Sequence, residues 1–288
     1  MAAQKKESDK KTVPPRQEQE TEAQYRERLQ LLARVSRIKH KILVLSGKGG
    51  VGKSTVAVNL ALSLVEAGYR VGLLDVDIHG PSIPTLLNLE GHSVSSKADS
   101  LLPVAFENRL KVISIGFLLQ SRDDAVIWRG PMKYKMIRQF ITNVEWGDLD
   151  FLIADLPPGT GDEPLSVAQL LDDADGAIVV TTPQQVAISD VRKAITFCRQ
   201  LKLPVLGVLE NMSGFVCPYC GKRVDIFNRG GGQAMAEDMR VPFLGTIPID
   251  PNIVQSGDAG TPYVRMFPDS DAAKAFVGAV ELILKPLA

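Results

Sequence analysis

The stretch Gly47-Lys48-Gly49-Gly50-Val51-Gly52-Lys53-Ser54 decides the fold, because it fits the phosphate-binding pattern G-x-x-x-x-G-K-[ST]. An apolar run at 42–45 predicts a strand before it, and apolar residues at helical spacing predict a helix over 53–67. Glycines let a backbone approach a polyphosphate, and N–H groups at a helix start carry partial positive charge. Strand, glycine loop and helix together predict a nucleotide-binding site.

Two lysines of this loop have different expected roles. Lys53 should reach the β- and γ-phosphates, and the Ser54 hydroxyl should bind Mg²⁺. Lys48 cannot easily serve the same nucleotide, since Lys53 already fills that place; it is either a lysine that reaches a phosphate bound by another subunit or a solvated lysine at a loop tip. The candidate nucleotide-binding residues of the loop are Gly47, Lys48, Gly49, Gly50, Val51, Gly52, Lys53, Ser54 and Thr55.

Composition narrows the class of protein. The chain has 288 residues, with 33 Lys and Arg against 33 Asp and Glu, so bulk charge points to neither nucleic acid nor an anionic membrane. Hydrophobic content is 45%, typical of a globular protein, and no apolar run approaches the length of a transmembrane helix. Three cysteines do not suggest a disulfide framework. We expect a cytoplasmic protein with no nucleic-acid or membrane partner.

The first 40 residues differ from the rest. Residues 1–20 are polar and charged and predict a disordered tail, without the apolar segment of a secretory signal and with too many acidic residues for a mitochondrial presequence. Apolar residues three and four apart predict an N-terminal helix within 21–40. Residues 41–288 are then expected to form one ATPase domain.

Carboxylates follow two predicted strands. Asp75 and Asp77 end the second strand, and Asp155 ends the apolar run 151–154. The carboxyl ends of parallel strands meet at the edge where open α/β sheets bind ligands. Asp155 is expected to hold Mg²⁺ through water. Asp75 and Asp77 either join this site or cap the turn that follows them.

Strands and helices alternate through the remainder of the chain. Strands are expected at 111–115, 177–182, 205–209 and 243–247, and helices at 128–144, 186–201 and 270–284, while 86–108 predicts an irregular excursion. This alternation predicts an α/β fold, a mostly parallel β-sheet flanked by helices on both faces.

A C-x-x-C pair, Cys217 and Cys220, lies in the loop 215–222. Its flanking Pro and Gly are typical of half a zinc knuckle, and soft thiolates equally suit an iron–sulfur cluster. A thioredoxin-type redox pair fits less well, because such pairs open a helix. Two thiolates do not complete a four-thiolate site, and Cys198 lies on a predicted helix upstream. A two-fold dimer would supply the other two.

The motifs resemble those of the deviant P-loop ATPases, which include MinD, ParA, the nitrogenase iron protein and the arsenite-pump ATPase. Within that group the chain is similar to the Mrp-type (ApbC-like) iron–sulfur carriers over about 41–284. The motifs that carry the resemblance stand in the same order: G-K-G-G-V-G-K-S, D-V-D-I-H-G-P-S, L-P-P-G-T-G-D, E-N-M-S-G with C-P-Y-C-G, R-G-G-G and I-P-I-D-P.

The resemblance implies a function and residue roles. It implies ATP binding, slow ATP hydrolysis, a homodimer, and a labile [4Fe–4S] cluster held between protomers for transfer to apo-proteins, with scaffold proteins as further partners. By the same resemblance Lys48 acts across the dimer, Asp77 orients the attacking water and Asp75 supports the Mg²⁺ shell. Asn211 is implied to contact adenine, and Pro248 and Asp250 to border the base.

Two departures and three rival functions qualify this expectation. The first 40 residues hold neither a separate accessory domain nor the four-cysteine motif of the eukaryotic cytosolic branch, which favours a simple prokaryotic type with no second cluster. A zinc-stabilised regulatory ATPase, with Zn²⁺ at the cysteines, shares every residue with the carrier except the metal. A MinD-like positioning ATPase would need a basic amphipathic C-terminal helix, and a ParA-like ATPase a basic surface; the sequence favours neither.

Overall fold

The structure is a computed structural model that describes residues 15–16, 20–78, 80–97, 100–118 and 130–287. Most of the predicted tail at 1–20 lies outside the described residues. The strands are β1 (Ile38–Ser46), β2 (Val71–Asp75), β3 (Ser95–Lys97), β4 (Ser100–Leu102), β5 (Val104–Phe106), β6 (Leu110–Ser114), β7 (Leu149–Asp155), β8 (Gly176–Thr181), β9 (Val205–Glu210), β10 (Phe215–Val216), β11 (Arg223–Val224) and β12 (Phe243–Thr246).

Ten α-helices occur among the described residues. They are α1 (Glu22–Val35), α2 (Lys53–Glu66), α3 (Ile83–Leu86), α4 (Gly130–Asn143), α5 (Asp162–Leu170), α6 (Gln185–Gln200), α7 (Gly231–Asp238), α8 (Pro251–Asp258), α9 (Tyr263–Met266) and α10 (Asp271–Leu284). Short 3₁₀ turns lie at Ile115–Leu118 and Lys285–Leu287.

One eight-stranded sheet organises the chain, in the order β12-β9-β8-β1-β7-β2-β6-β5. Every neighbouring pair is parallel except β5 with β6. The strand that leads into the glycine loop is therefore central, with β7 on one side and β8 on the other. The predicted fold class is confirmed.

Helices cover both faces of this sheet, because alternate residues of each buried strand point to opposite sides. Ile42 and Val44 of β1 pack in the cluster that contains residues of α2 and α10. Leu43 and Leu45 pack in the cluster that contains residues of α4 and Val35, the last residue of α1. Two apolar layers thus hold the central strands, and the carboxyl ends of those strands are left to carry the site.

The N-terminal helix is shorter than the sequence pattern indicates. Thr21 caps α1 through a capping box with Gln24. The helix ends at Val35, and β1 begins at Ile38, which pairs with Leu149 of β7. Residues 38–40 therefore belong to the sheet, where pairing with β7 stabilises them more than one further helical turn would.

The excursion at 86–108 is more ordered than predicted. It contains the β3–β4 hairpin and β5, which adds an antiparallel edge to the sheet. Each of these strands has three residues. Such short strands leave no readable alternation, so the pattern could not reveal them.

Within the described residues, none of the helices combines the length and the apolar character that crossing a bilayer requires.

Candidate functional site

The glycine loop joins β1 to α2 as predicted. Gly50 and Gly52 have φ of +78° and +79°, a left-handed conformation that glycine adopts at little cost, and Gly52 is the N-cap of α2. A Cβ on Gly47 would lie 2.3 Å from the backbone of Asp190 in α6. The loop therefore needs glycine for its backbone shape at two positions and for close packing at a third.

This loop lines a polar cavity of about 210 Å³ at the carboxyl edge of the sheet. The residues around the cavity are Ser46, Lys48, Gly49, Gly50, Gly52, Lys53, Ser54, Thr55, Asp77, Ser82 and Pro158. Seven predicted loop residues, together with Asp77, thus share one cavity. Its size and its glycine backbone suit a polyphosphate.

Lys53 is buried at the centre of this group. Its Nζ lies 2.6 Å from Oδ1 of Asp155, 3.8 Å from Oδ2 of Asp77 and 3.4 Å from Oγ of Ser54. The structure therefore brings together the lysine, the hydroxyl and two of the three carboxylates that were predicted for phosphate and Mg²⁺.

Asp75 lies behind this group and outside the cavity lining. It pairs in register with Asp155 on the neighbouring strand, and it accepts hydrogen bonds from the Ser114 hydroxyl, at 2.8 Å, and from the Asp77 N–H, at 3.1 Å. Complete burial, followed by the repulsion of Asp155, raises the pKa of Asp75 to about 7. Asp75 thus supports the backbone of Asp77 from below.

The donor set fits a magnesium ion. Oδ2 of Asp155 is buried and has no hydrogen-bond partner, although its companion Oδ1 binds Lys53. A buried carboxylate oxygen without a donor is costly unless a further group uses it. Together with the Ser54 hydroxyl, it offers the oxygen ligands that Mg²⁺ takes beside a triphosphate.

A second cavity, of about 300 Å³, adjoins the loop at Gly52 and Thr55. Asn211, Pro248 and Asp250 all line it, as predicted for a base site. The sequence did not reveal its apolar wall, which consists of Leu86, Met212, Phe227, Ile249, Ile253 and Val254. A largely apolar cavity with a few polar groups beside a phosphate loop suits a purine base.

Two polar side chains of this second cavity, Asn211 and Asp250, already make hydrogen bonds within the protein. Asn211 Nδ2 donates to the Val51 carbonyl at 2.9 Å and would lie 2.4 Å from a Cβ on Gly52, so this amide packs directly against the loop. Asp250 caps α8 by accepting from the Asn252 N–H at 2.8 Å, and it also accepts from the Tyr263 hydroxyl. Asp250 therefore shapes the wall, while Asn211 holds the loop.

The two cysteines lie at the tip of a small hairpin. Its strands β10 and β11 pair antiparallel, the Cys217 N–H donates to the Lys222 carbonyl at 3.0 Å, and the Gly221 N–H donates to the Cys217 carbonyl at 2.8 Å. The N–H groups of Tyr219 and Cys220 lower the pKa of the Cys217 thiol. Cys220 is exposed. This turn holds one exposed and one half-buried thiol, and its backbone N–H groups stabilise the thiolate form of Cys217.

Cys198 differs from this pair in its burial and in the direction in which its pKa is shifted. It is buried on α6, and burial raises its pKa to about 12. Over the part of the chain that the structure describes, no group of three or more His, Cys, Asp or Glu side chains is placed to hold a metal ion. The hairpin pair therefore offers two thiols to a metal, and Cys198 is not placed to add a third.

Lys48 borders both the polyphosphate cavity and an open pocket of about 460 Å³ beside it. The other residues of that pocket come from the start of α6 and from the chain that follows the hairpin: Gln184, Gln185, Val186, Ile226, Phe227 and Asn228. The early lysine therefore lies beside residues 226–228, which follow the cysteine hairpin in the chain.

Sequence reasoning passed over Glu210, the last residue of β9. It is fully buried and accepts hydrogen bonds from three groups near the hairpin. The signal was present, because a carboxylate that ends an apolar strand is the same feature that singled out Asp155.

The chain matches a family model described as "ParA: NUBPL iron-transfer P-loop NTPase" over residues 37–284. A "Cytosolic Fe-S cluster assembly factor NUBP2 homolog" of Nematostella vectensis is 54% identical over 242 residues, which cover 83% of this chain and 90% of that protein. The protein with the same name from Culex quinquefasciatus is 55% identical over 239 residues, covering 82% and 93%.

Among solved structures, a nucleotide-binding protein of Archaeoglobus fulgidus in complex with ADP is 42% identical, with a TM-score of 0.73 and coverage of 82% of this chain and 92% of that one. The septum site-determining protein MinD of Pyrococcus horikoshii, complexed with Mg-ADP, is 26% identical, with a TM-score of 0.61 and coverage of 86% and 96%. The likeness to MinD and ParA proteins predicted from the motifs is confirmed.

One expectation is not favoured by these comparisons. Both relatives described above are more than half identical and eukaryotic, and the archaeal protein is 42% identical, so these comparisons do not favour the simple prokaryotic type. Because the family match spans most of the chain and agrees with relatives above 50% identity, this chain belongs to the family of NUBPL iron-transfer P-loop NTPases.

Proposed function

We propose that this protein is an ATP-dependent iron–sulfur carrier, which holds a labile [4Fe–4S] cluster between two copies of the chain and transfers it to client apo-proteins. The observation that carries the proposal is the pair of unpaired thiols, Cys217 and Cys220, at the tip of the β10–β11 hairpin, with Cys220 exposed. The names of the relatives, cytosolic iron–sulfur cluster assembly factors, support the same function and a cytoplasmic location.

The nucleotide half of the function rests on the polyphosphate cavity. The loop N–H groups and Lys53 hold the β- and γ-phosphates of ATP, and Lys53 leaves Asp155 to do so. Ser54 and Asp155 hold Mg²⁺, which offsets phosphate charge when bound. Asp77, on the cavity wall, orients the attacking water, and Asp75 fixes the backbone of Asp77. The apolar cavity at Asn211 takes the adenine.

The cluster-binding part of the proposed function rests on the number of cysteine thiolates that each chain can offer. A [4Fe–4S] cluster takes four, each chain offers two at the hairpin, and Cys198 would have to leave a packed core to add a third. A two-fold axis beside the hairpins supplies four thiolates, as two symmetry-related pairs, without displacing Cys198 from its core. A cluster at an interface is released when the copies separate, which accounts for a labile cargo.

The dimer also gives Lys48 a role. From the rim of the polyphosphate cavity of its own chain, it reaches the phosphates bound by the second copy, where a cation stabilises the charge of the transition state. Hydrolysis that needs both copies is slow whenever they are apart. Client apo-proteins and scaffold proteins are the remaining partners, because the cargo has to arrive and leave.

Metal analysis after anaerobic purification and reconstitution tests this function. We expect two iron and two sulfide per chain, lost in Cys217→Ala and in Cys220→Ala but kept in Cys198→Ala, the matched control thiol. The four-thiolate hairpin site suits Zn²⁺ as well, so the same analysis includes zinc. Protein that carries only zinc, or a double variant Cys217→Ala/Cys220→Ala that still binds iron and sulfide fully, would replace the carrier with a zinc-stabilised regulatory ATPase.

A further inference from the structure

The cysteine hairpin is part of a longer excursion, residues 211–230, which leaves the sheet after β9 and ends where α7 begins. We call its two ends the roots of the excursion. Both roots meet the same side chain, the fully buried carboxylate of Glu210. Gly230 is separated from Glu210 by 20 positions in sequence, yet the two are in direct contact.

Three hydrogen bonds make this connection. The hydroxyl of Ser213, at the first root, donates to Oε1 of Glu210 at 2.6 Å. At the second root the N–H of Gly230 donates to Oε1 at 3.1 Å, and the N–H of Gly232 donates to Oε2 at 2.5 Å. These N–H groups belong to the start of α7, where a negative charge is favoured by the helix dipole. One carboxylate therefore bonds to both roots.

The glycines of the run Gly230-Gly231-Gly232 allow the backbone to come close enough for this contact. Gly230 has φ of +76°, in the left-handed region. A Cβ on Gly231 would lie 2.7 Å from the Pro183 carbonyl oxygen, and one on Gly232 would lie 2.8 Å from Oε2 of Glu210. Each glycine lets the second root approach Glu210 or the neighbouring loop, which gives the R-G-G-G motif a physical reason.

The backbone of Glu210 and its neighbour Asn211 are also hydrogen-bonded to segments that border the nucleotide site. The Ile247 N–H donates to the backbone carbonyl of Glu210 at 2.8 Å, and the Ser213 N–H donates to the carbonyl of Ile247 at 2.9 Å. Asn211, the next residue after Glu210, bonds to the glycine loop at Val51. Glu210 thus lies where the roots of the excursion, the wall of the base cavity and the phosphate loop come together.

We propose that Glu210 is a positioning residue for cluster carriage: it fixes the two roots against each other so that Cys217 and Cys220 are presented together to the second copy. This inference rests on the proposed carrier function. A carboxylate can accept from both roots at once, whereas an amide in its place turns an N–H group toward a root that offers only donors. Loss of the contact leaves buried donors unsatisfied and frees one root from the other.

Three variants test the proposal in the full-length protein. Glu210→Gln keeps the shape and loses one acceptor, Ser213→Ala releases only the first root, and Gly232→Ala pushes the carboxylate away from the second. The matched control is Asp175→Asn, because Asp175 also accepts a backbone N–H, that of Lys41 at 2.7 Å, but at the opposite end of the sheet. Thermal unfolding midpoints of all variants are recorded so that stability losses are compared directly.

The first readout is the rate at which reconstituted protein loses its chromophore to an iron chelator. We expect loss about tenfold faster in Ser213→Ala and Glu210→Gln than in Asp175→Asn, while the Kd for ATP stays within about twofold of wild type in Ser213→Ala. The second readout needs no metal: hydrogen exchange of the peptide that contains Gly230 and Gly232 should accelerate in the same variants and not in the control.

The outcomes separate the two proposals. Chelator loss and hydrogen exchange that match the Asp175→Asn control in every variant would overturn the positioning role of Glu210, even if wild type carries a full cluster. Accelerated exchange in a protein that never retains iron would uphold the positioning role and overturn the carrier function instead. Should Glu210→Gln fail to fold, Ser213→Ala decides alone, since it removes a single hydroxyl.

Discussion

The ammonium of Lys53 lies 2.6 Å from Oδ1 of Asp155, and both side chains are buried. The lysine predicted to hold phosphate and the carboxylate predicted to hold Mg²⁺ therefore hold each other. Nucleotide and magnesium would satisfy both charges separately, so binding exchanges one ion pair for two new contacts. Each residue is held ready in position without the cost of an isolated buried charge.

Lys53→Ala should abolish nucleotide binding or hydrolysis, and it should also destabilise the fold, because removal of one partner from a buried ion pair costs about 3–5 kcal/mol. Isothermal titration with ATP and a thermal unfolding curve measure the two effects. Lys53→Arg keeps the charge and serves as the control for stability. Unchanged ATP affinity in a folded Lys53→Ala protein would contradict the assignment.

Asp77→Asn should retain ATP binding and lose turnover by at least about 10², the usual contribution of a group that orients or activates water. Asp77 lines the cavity and is 3.8 Å from Lys53, close enough to influence Mg²⁺ as well, so ATP affinity is measured at saturating Mg²⁺. Phosphate release at a near-wild-type rate would remove Asp77 from the reaction.

Lys48 should act in trans. Mixed dimers of Lys48→Ala and Lys53→Ala chains contain one composite site with both lysines, so the mixture should regain part of the ATPase activity that each variant lacks. Steady-state phosphate release before and after mixing measures this, and each variant mixed with itself is the control. Mixed dimers that form without any rescue would confine Lys48 to its own chain.

Asn211→Ala should weaken ATP binding about fivefold, because the amide gives the phosphate loop a hydrogen bond worth about 1 kcal/mol. Asn108→Ala, an exposed asparagine far along the chain, is the matched control. Fluorescence titration with a labelled ATP analogue measures both. An affinity equal to that of the control would show that the contact with Val51 does not support nucleotide binding.

Cys217 should be alkylated at a lower pH than Cys198. A lowered pKa increases the thiolate fraction of Cys217 at any given pH, so its iodoacetamide rate should reach half its maximum below pH 9.0, the ordinary value. Cys198, with a pKa of about 12, should stay unlabelled in folded protein. Peptide mass spectrometry across pH 6–10 gives both curves, with Cys217→Ser as control. Early labelling of Cys198 would contradict its burial.

Much of the nucleotide site could be predicted because its chemistry is local in sequence. The glycine loop, Asp77 and Asp155 each follow a readable strand, and parallel pairing brings strand ends to one edge. The family resemblance grouped Asn211, Pro248 and Asp250 near the base, and the structure finds them at one cavity. It did not reveal that Asp250, which caps α8, also accepts a hydrogen bond from Tyr263, because that contact joins two helices packed in space.

Other parts were hidden for physical reasons. Strands β3, β4 and β5 are too short to show alternation, and α1 stops early because residues 38–40 pair with β7. Glu210 could have been singled out as a carboxylate that ends an apolar strand, but its partners could not, because two of them are the backbone N–H groups of residues 230 and 232. A side-chain pattern does not reveal a contact made by the main chain.

The meeting of both roots at Glu210 has an evolutionary consequence. An insertion whose ends touch can be gained, lost or exchanged without changing the register of the strands around it, as happens at loop tips that accept inserted domains. A dimer with a short turn in place of the hairpin would keep its phosphate loop and lack the two cysteines. Exchanging residues 214–225, which carry the hairpin but leave Phe227 of the base cavity in place, for a different metal-binding or ligand-binding module is therefore a route by which this scaffold would acquire a new ligand.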